Sequence, residues 1–361
     1  MTAVIINGGQ YGSEGKGVIA DLFSPTAEVA IRVGGSNAGH TIRHDGRTWK
    51  MRMVPCAWTN PATTLVLGPG AIVDVPVLRE EVDALEAAGY SIRNRLFIDR
   101  KATLQVEGDS AAEHATAGDG KSLVERMGST GKGIGAARIR RIKRLPELMA
   151  PVRDLTEEFT IADTPRIYRP LAVNEGNVVI EGTQGFGLSL THGPWPYVTS
   201  TDLTTTQLLN DCALPASTPL INIMVFRTMP IRVAGNSGPL KGETSWEALS
   251  DILGKEVEER TTVTNKVRRI GEFDWELAHE AVAVNAPHMI ALTFADYLDP
   301  NVEACPHWNT VMGSPAIRQF VNKIEGDLGV PVWLIGTGGP EFTVARHPAL
   351  AAMLSGGPRK R

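Results

Sequence analysis

Lys16 sits in the segment Asn7-Gly8-Gly9-Gln10-Tyr11-Gly12-Ser13-Glu14-Gly15-Lys16-Gly17, where five glycines surround one lysine directly after the apolar run Val4-Ile5-Ile6. Such a segment is a phosphate cradle. Glycines turn the backbone sharply and bring N–H groups against phosphate oxygens, a following helix N-terminus adds positive potential, and Lys16 offers a point charge to a phosphoryl group in transfer. The spacing departs from a Walker A loop, because five residues rather than four separate Gly9 from Gly15, and Gly17 stands where a Mg²⁺-binding Ser or Thr would follow the lysine. Glu14 is open to two readings, a catalytic group or a loop residue that caps the next helix. A second stretch, Arg32-Val33-Gly34-Gly35-Ser36-Asn37-Ala38-Gly39-His40-Thr41, also follows an apolar run and places a histidine among glycines. Imidazolium there would have a proton available near neutral pH.

Elements must hold these loops. Short apolar or β-branched runs at Val4–Ile6, Val29–Val33, Leu65–Leu67, Leu96–Ile98, Val178–Ile180, Leu220–Phe226, Met289–Phe294 and Val330–Ile335 read as buried strands. Val77, Leu78, Val82 and Leu85 recur at helical spacing on an acidic background and predict an amphipathic helix ending at Gly89. Alternating strands and helices, with glycine loops after strands, imply an α/β protein: a largely parallel central sheet, flanking helices and a P-loop-like glycine loop at the N-terminus. The 361 residues could hold one large or two medium domains, and without a low-complexity linker residues 1–361 read as a single domain. A net charge of -4 gives no electrostatic case for nucleic-acid or membrane binding. Cys56, Cys212 and Cys305 lack the number and spacing of a disulfide framework or zinc site, which fits a reducing cytoplasm. No leader-like charged-then-apolar start and no membrane-length apolar run is apparent.

GGQYGSEGKG followed by GGSNAGHT resembles adenylosuccinate synthetase, a family that couples a 6-oxopurine nucleotide to L-aspartate at the expense of a nucleoside triphosphate. Further blocks occur in the family's order: Gly128-Ser129-Thr130-Gly131-Lys132-Gly133-Ile134-Gly135, Glu181-Gly182-Thr183-Gln184-Gly185, His192 to Ser200, and Ile335-Gly336-Thr337-Gly338. The resemblance implies γ-phosphoryl transfer to the purine O6, then displacement of phosphate at C6 by the aspartate amine, with Mg²⁺. It implies that Gly12, Ser13, Glu14, Gly15, Lys16 and Gly17 embrace the donor phosphates, helped by Gly39, His40, Thr41, Arg268, Asp296, Gly336, Thr337 and Gly338. The purine monophosphate would be held by Ser13, Asn37, Ala38, Ser129, Thr130, Arg144, Gln184, Thr199 and Val233, with Arg144 reaching across a homodimer interface. Thr264, Lys266 and Arg268 fall in the family's aspartate loop, where Arg268 and Arg269 could equally be a structural turn. Ser13, Lys16, His40 and Gln184 would be the catalytic set, and Ser13 with the Gly39 carbonyl the metal ligands.

Three departures bear on substrate and donor. Ser13 stands where ordinary members carry an aspartate, so an anionic base and a hard carboxylate ligand are replaced by a neutral hydroxyl. The smaller neutral side chain suits a 2-amino-6-oxopurine, and the pattern resembles the family's phage branch, which converts dGMP to N6-succino-2-amino-2′-deoxyadenylate for DNA containing 2-aminoadenine. Lys266 replaces an arginine near the ribose and aspartate, which points toward deoxyribose. In Thr293-Phe294-Ala295-Asp296, Phe294 replaces the lysine of the guanine-reading TKxD, which favours ATP or dATP over GTP as donor. Ordinary IMP ligation and a catalytically dead nucleotide-binding regulator are the alternatives.

Overall fold

A computed structural model describes residues 3–144, 152–173, 177–261 and 265–350. Ten strands form one sheet: β1 (Ala3–Gly8), β2 (Val29–Arg32), β3 (Thr64–Leu67), β4 (Leu96–Asp99), β5 (Thr160–Ala162), β6 (Val178–Glu181), β7 (Leu220–Arg227), β8 (Met289–Thr293), β9 (Val332–Gly338) and β10 (Thr343–Arg346). Their spatial order is β10-β9-β8-β7-β1-β6-β2-β3-β4-β5. All neighbours run parallel except β9 and β10. The expected α/β architecture is therefore present.

All six residues of β1 are buried, as a central parallel strand covered on both faces requires. Its side chains alternate: Val4 and Ile6 enter the layer containing Ile19, Ala20 and Phe23, whereas Ala3 and Ile5 enter the layer of Tyr168, Leu208 and Leu209. A third cluster, around Phe226, Leu292, Ile317 and Val321, covers the β7–β9 side. Helix α1 (Lys16–Leu22) leaves the first glycine loop, and α2 (Val75–Ala87) is the amphipathic helix expected from its spacing, with Gly89 following it at φ +96°. Asp74 caps α2 by accepting from Val77 N at 3.3 Å.

β1 lies between β6 and β7, and the chain leads from β2 through β5 to one side and from β7 to β10 on the other. The carboxyl end of β1 is the switch point at which doubly wound sheets bind ligands. One element was missed: His40–His44 and Arg47–Met51 pair as a hairpin around Asp45-Gly46, both at positive φ. The Asp-Gly pair was its sequence signal.

Candidate active site

The first glycine loop bends left-handed at Gly12, Ser13 and Gly15, with φ of +93°, +58° and +88°. A Cβ on Gly8 would lie 2.5 Å from Gln184 O, 2.8 Å from Glu14 Oε2 and 2.9 Å from Lys16 Nζ, so only glycine lets these groups converge. Glu14 is fully buried and accepts from Gln10 N at 3.1 Å and Gly12 N at 2.8 Å through Oε1, while Oε2 pairs with Lys16 Nζ. It neither caps α1 nor stands free. Glu14 instead ties the loop together and holds buried Lys16 in place.

His40 begins the hairpin beside the end of β2. Its Nδ1 meets Arg32 Nη1 at 3.0 Å and Glu181 Oε1, whereas buried Nε2 has no partner among the described residues. Burial, reinforced by the Arg32 charge and opposed by Glu181, lowers the His40 pKa to about 4. The expected imidazolium is thus replaced by a neutral ring. Nδ1 faces both a donor, Arg32, and an acceptor-only carboxylate, Glu181, and Nε2 is the nitrogen left free to meet a ligand. Glu181 works the other way: burial raises its pKa, but Arg32 and His40 outweigh this and hold the carboxyl at about 2. Cys56 Sγ also lies among these groups, giving a metal-like His40, Cys56 and Glu181 constellation. Arg32 already supplies its cation, and Glu181 Oε2 accepts from Cys56 N at 2.7 Å, so this cluster suits a guanidinium better than a metal ion. Arg32 and Glu181 were present in the motif blocks, yet their task of orienting His40 was missed. A buried pair between strand ends is a tertiary fact.

Gln184 follows β6 at φ +56° and donates its side-chain amide to Thr199 Oγ1 at 3.2 Å. Gly12 approaches the same loop, since a Cβ there would be 3.6 Å from Gln184 Cα. Ser13 Oγ accepts from Arg268 Nη1, joining the phosphate loop to the second basic loop. Arg269 instead pairs with Glu243 and donates to Gly238 O at 2.7 Å, a structural role.

On the other side of the switch point, Asp296 is buried, and a Cβ on Gly338 would lie 2.8 Å from its Oδ1, which has no hydrogen-bond partner among the described residues. Burial, partly offset by Lys255, raises the Asp296 carboxyl to about 6. Gly336 packs on Thr293, where a Cβ would meet Cγ2 at 3.2 Å. The fully buried Thr337 hydroxyl donates to Cys305 O at 3.0 Å, so its side chain serves the fold and its backbone is what can face a nucleotide.

The remaining expected residues divide into near and far. Ala38 is buried and its carbonyl accepts from Arg32 Nη2 at 2.7 Å, placing Asn37, Gly39 and Thr41 beside His40. The Ser129–Thr130 loop leads into the helix Ile134–Lys143; a Cβ on Gly35 would meet Ile134 Cδ1 at 2.4 Å, and one on Gly135 would be 3.8 Å from Ser200 Cβ. Val233 O accepts from Ser237 Oγ at 2.5 Å. Lys266 is exposed and, among the described residues, is anchored through its backbone to Thr261, and Thr264 lies outside the described residues. Arg144 is not gathered in. It is exposed at the far end of its helix, about 15 Å of helix from Ile134. Arg232, unremarked in the sequence, lies 4.3 Å over the Tyr11 ring inside the phosphate loop.

The adenylosuccinate synthetase family model matches residues 5–160 and 145–313. The adenylosuccinate synthetase of Methanocaldococcus jannaschii is 36% identical over 345 residues, covering 95% of each chain. This chain belongs to the adenylosuccinate synthetase family. It is accordingly a C–N ligase that depends on a nucleoside triphosphate and takes nucleotide substrates. The Archaeoglobus fulgidus adenylosuccinate synthetase is 34% identical over 95% of this chain and 97% of its own. Among solved structures, the cyanophage S-2L succinoaminodeoxyadenylate synthetase bound to dGMP and dATP as an energy donor superposes with a TM-score of 0.80, at 31% identity, over 98% of this chain and 97% of that one. The Plasmodium falciparum adenylosuccinate synthetase, at 22% identity and a TM-score of 0.79 over 96% of this chain and 100% of its own, shares the fold.

Mg²⁺ in such a site would come with the donor phosphates. Glu14 is spent on Lys16 and loop N–H groups, so the protein offers neutral oxygens: the Gly39 carbonyl and Ser13 Oγ, which keeps one lone pair after accepting from Arg268. These fit Mg²⁺, which takes few protein ligands when phosphates and water supply the others.

Proposed function

We propose that this synthetase joins L-aspartate to C6 of dGMP, using ATP or dATP with Mg²⁺, and yields N6-succino-2-amino-2′-deoxyadenylate for 2-aminoadenine DNA. The observation that carries the reading is Ser13, a neutral hydroxyl at the turn of the phosphate loop whose oxygen is engaged by Arg268. An aspartate there would carry negative charge against the purine edge. A serine leaves room for an exocyclic amine beside the purine edge. Leaving such an amine buried without an acceptor costs about 1–3 kcal/mol, enough to discriminate between purines. The cyanophage relative bound to dGMP and dATP supports both substrate and donor. The archaeal relatives support the alternative, ordinary ligation of IMP.

Within this reading Lys16 neutralises the transferring phosphoryl group and His40 hydrogen-bonds it or O6 through Nε2. Gln184 and Thr199, already bonded to each other, present their remaining polar atoms to the purine monophosphate. Mg²⁺ supplies charge neutralisation on the triphosphate. Asp296, its carboxyl raised to about 6 yet still largely ionised at pH 7, accepts from the N6 amine of adenine. The enzyme acts in the cytoplasm as a homodimer to which each subunit lends Arg144.

Incubation with L-aspartate, ATP and Mg²⁺, offering IMP, GMP and dGMP separately, tests the reading by product mass. A succino-adduct from dGMP and none from IMP is expected. Ser13→Asp shifts the ratio of kcat/KM values toward IMP by about tenfold or more. An adduct from IMP alone returns the enzyme to ordinary adenine synthesis, and no adduct from any of the three, with GTP and dATP also tried, favours a regulator.

A further inference from the structure

Arg227 ends β7 with no solvent exposure, and its guanidinium joins three parts of the site. Nη1 donates to Ser13 O at 3.2 Å, in the phosphate loop. Its Cζ lies 3.8 Å from the centroid of Phe294, the residue at the donor-base position, which is itself held at φ +58°. Nη1 and Nη2 grip both oxygens of Glu259, whose Oε1 also accepts from Tyr297 Oη at 3.0 Å. The backbone carbonyl of Glu259 accepts from Arg268 N at 2.9 Å, and the Arg268 guanidinium returns to Ser13 Oγ. The contacts close a ring: Ser13, Arg227, Glu259, Arg268 and back to Ser13. The backbone of Arg227 is locked as well, with Gln10 of the phosphate loop bonding its N and O at 3.0 Å each.

We propose that Arg227 is a positioning residue that couples the donor-base site to the basic loop at Arg268, so that filling one pre-orders the other. A base settling against Phe294 presses on a ring that rests on the guanidinium. Any shift of that guanidinium moves Glu259, and with it the segment from which Arg268 hangs. Conversely, a carboxylate ligand that draws Arg268 away from Ser13 changes the charge facing Glu259 and tightens its grip on Arg227. The assignment of the donor and of aspartate to the two ends rests on the ligase reading above.

Calorimetric titration of a non-hydrolysable β,γ-imido analogue of ATP, in the presence of Mg²⁺ and dGMP, with and without saturating L-aspartate, measures the coupling without turnover. In the wild-type enzyme aspartate tightens the analogue by a factor within the range of about 5–150 typical of coupled sites, and the effect is reciprocal. Arg227→Lys keeps the charge but loses the two-oxygen grip and the planar stack, so the factor falls toward one. Phe294→Leu leaves the ion pair intact and removes only the ring; it lowers the factor as well, and it decides the matter should the lysine variant fold poorly. No coupling in the wild-type enzyme, or an undiminished factor in Phe294→Leu, overturns the proposal. Absence of any succino-adduct in the product assay would sink the ligase reading instead, because the titration does not depend on turnover.

Discussion

Burial between Arg32 and Glu181 decides what His40 presents to the site, namely a neutral ring with one free nitrogen. Its folded pKa of about 4 lies below the unfolded value of 6.5, so between those values the unfolded chain binds the extra proton. The stabilising contribution is therefore fully present above pH 6.5 and is lost as pH falls toward 4, at up to about 1.4 kcal/mol per pH unit for one proton. Glu181, with a folded value of about 2 against 4.5, acts in the same direction over a more acidic window. Urea unfolding at closely spaced pH values should show a shallower slope between pH 6.5 and 4.5 in His40→Asn than in the wild-type chain. An identical slope would mean that His40 is already protonated in the native state. Neighbouring charges were the missing information here: the histidine was legible in its motif, but its protonation depends on an arginine eight residues earlier and a glutamate on another strand.

Helix α2 shows how an element serves the site from outside it. Asp74 caps the helix through Val77 N and also accepts from Ser36 Oγ at 2.6 Å, so one carboxylate fastens both the helix start and the glycine loop that carries His40. Asp74→Ala removes the cap, which costs about 1 kcal/mol in thermal or chemical unfolding, and frees Ser36. Activity should fall more than stability does. Normal kcat/KM in that variant, with the loss confined to stability, would show that Ser36 needs no anchor. The helix itself was readable from its apolar spacing because amphipathic periodicity reflects a single buried face. The hairpin from His40 to Met51 was not read that way, since only Ile42 and Met51 among its most buried residues are apolar and the surrounding charges mask the pattern.

Across the whole molecule, the sheet gathers loops from β1, β2, β6, β7, β8 and β9 at one edge, but it leaves Arg144 outside, next to a helix that exposes Ile139 and Ile142. In the proposed homodimer a second copy would supply this arginine. Arg144→Ala and His40→Ala should each be inactive alone, yet mixing them after mild dissociation should restore part of the activity, because a hybrid dimer contains one site with both residues intact. No recovery in mixtures shown by light scattering to be dimeric would place Arg144 outside the reaction. The sequence by itself determined the parallel sheet and the glycine loops at strand ends, since continuous apolar runs and clustered glycines are local signals that each residue carries alone. Ser13 and Phe294 were equally plain as departures. Only the tertiary structure decided that Glu14 locks Lys16, that Arg32 and Glu181 hold His40 by Nδ1, that the Thr337 hydroxyl is spent on the fold, and that Arg227 closes a ring with Glu259. Apart from Glu14 with Lys16 and Arg32 with His40, these pairings join segments far apart in the chain, and burial gives all of them their strength: inside the protein an unpaired charge is costly, so partners are chosen by proximity in space.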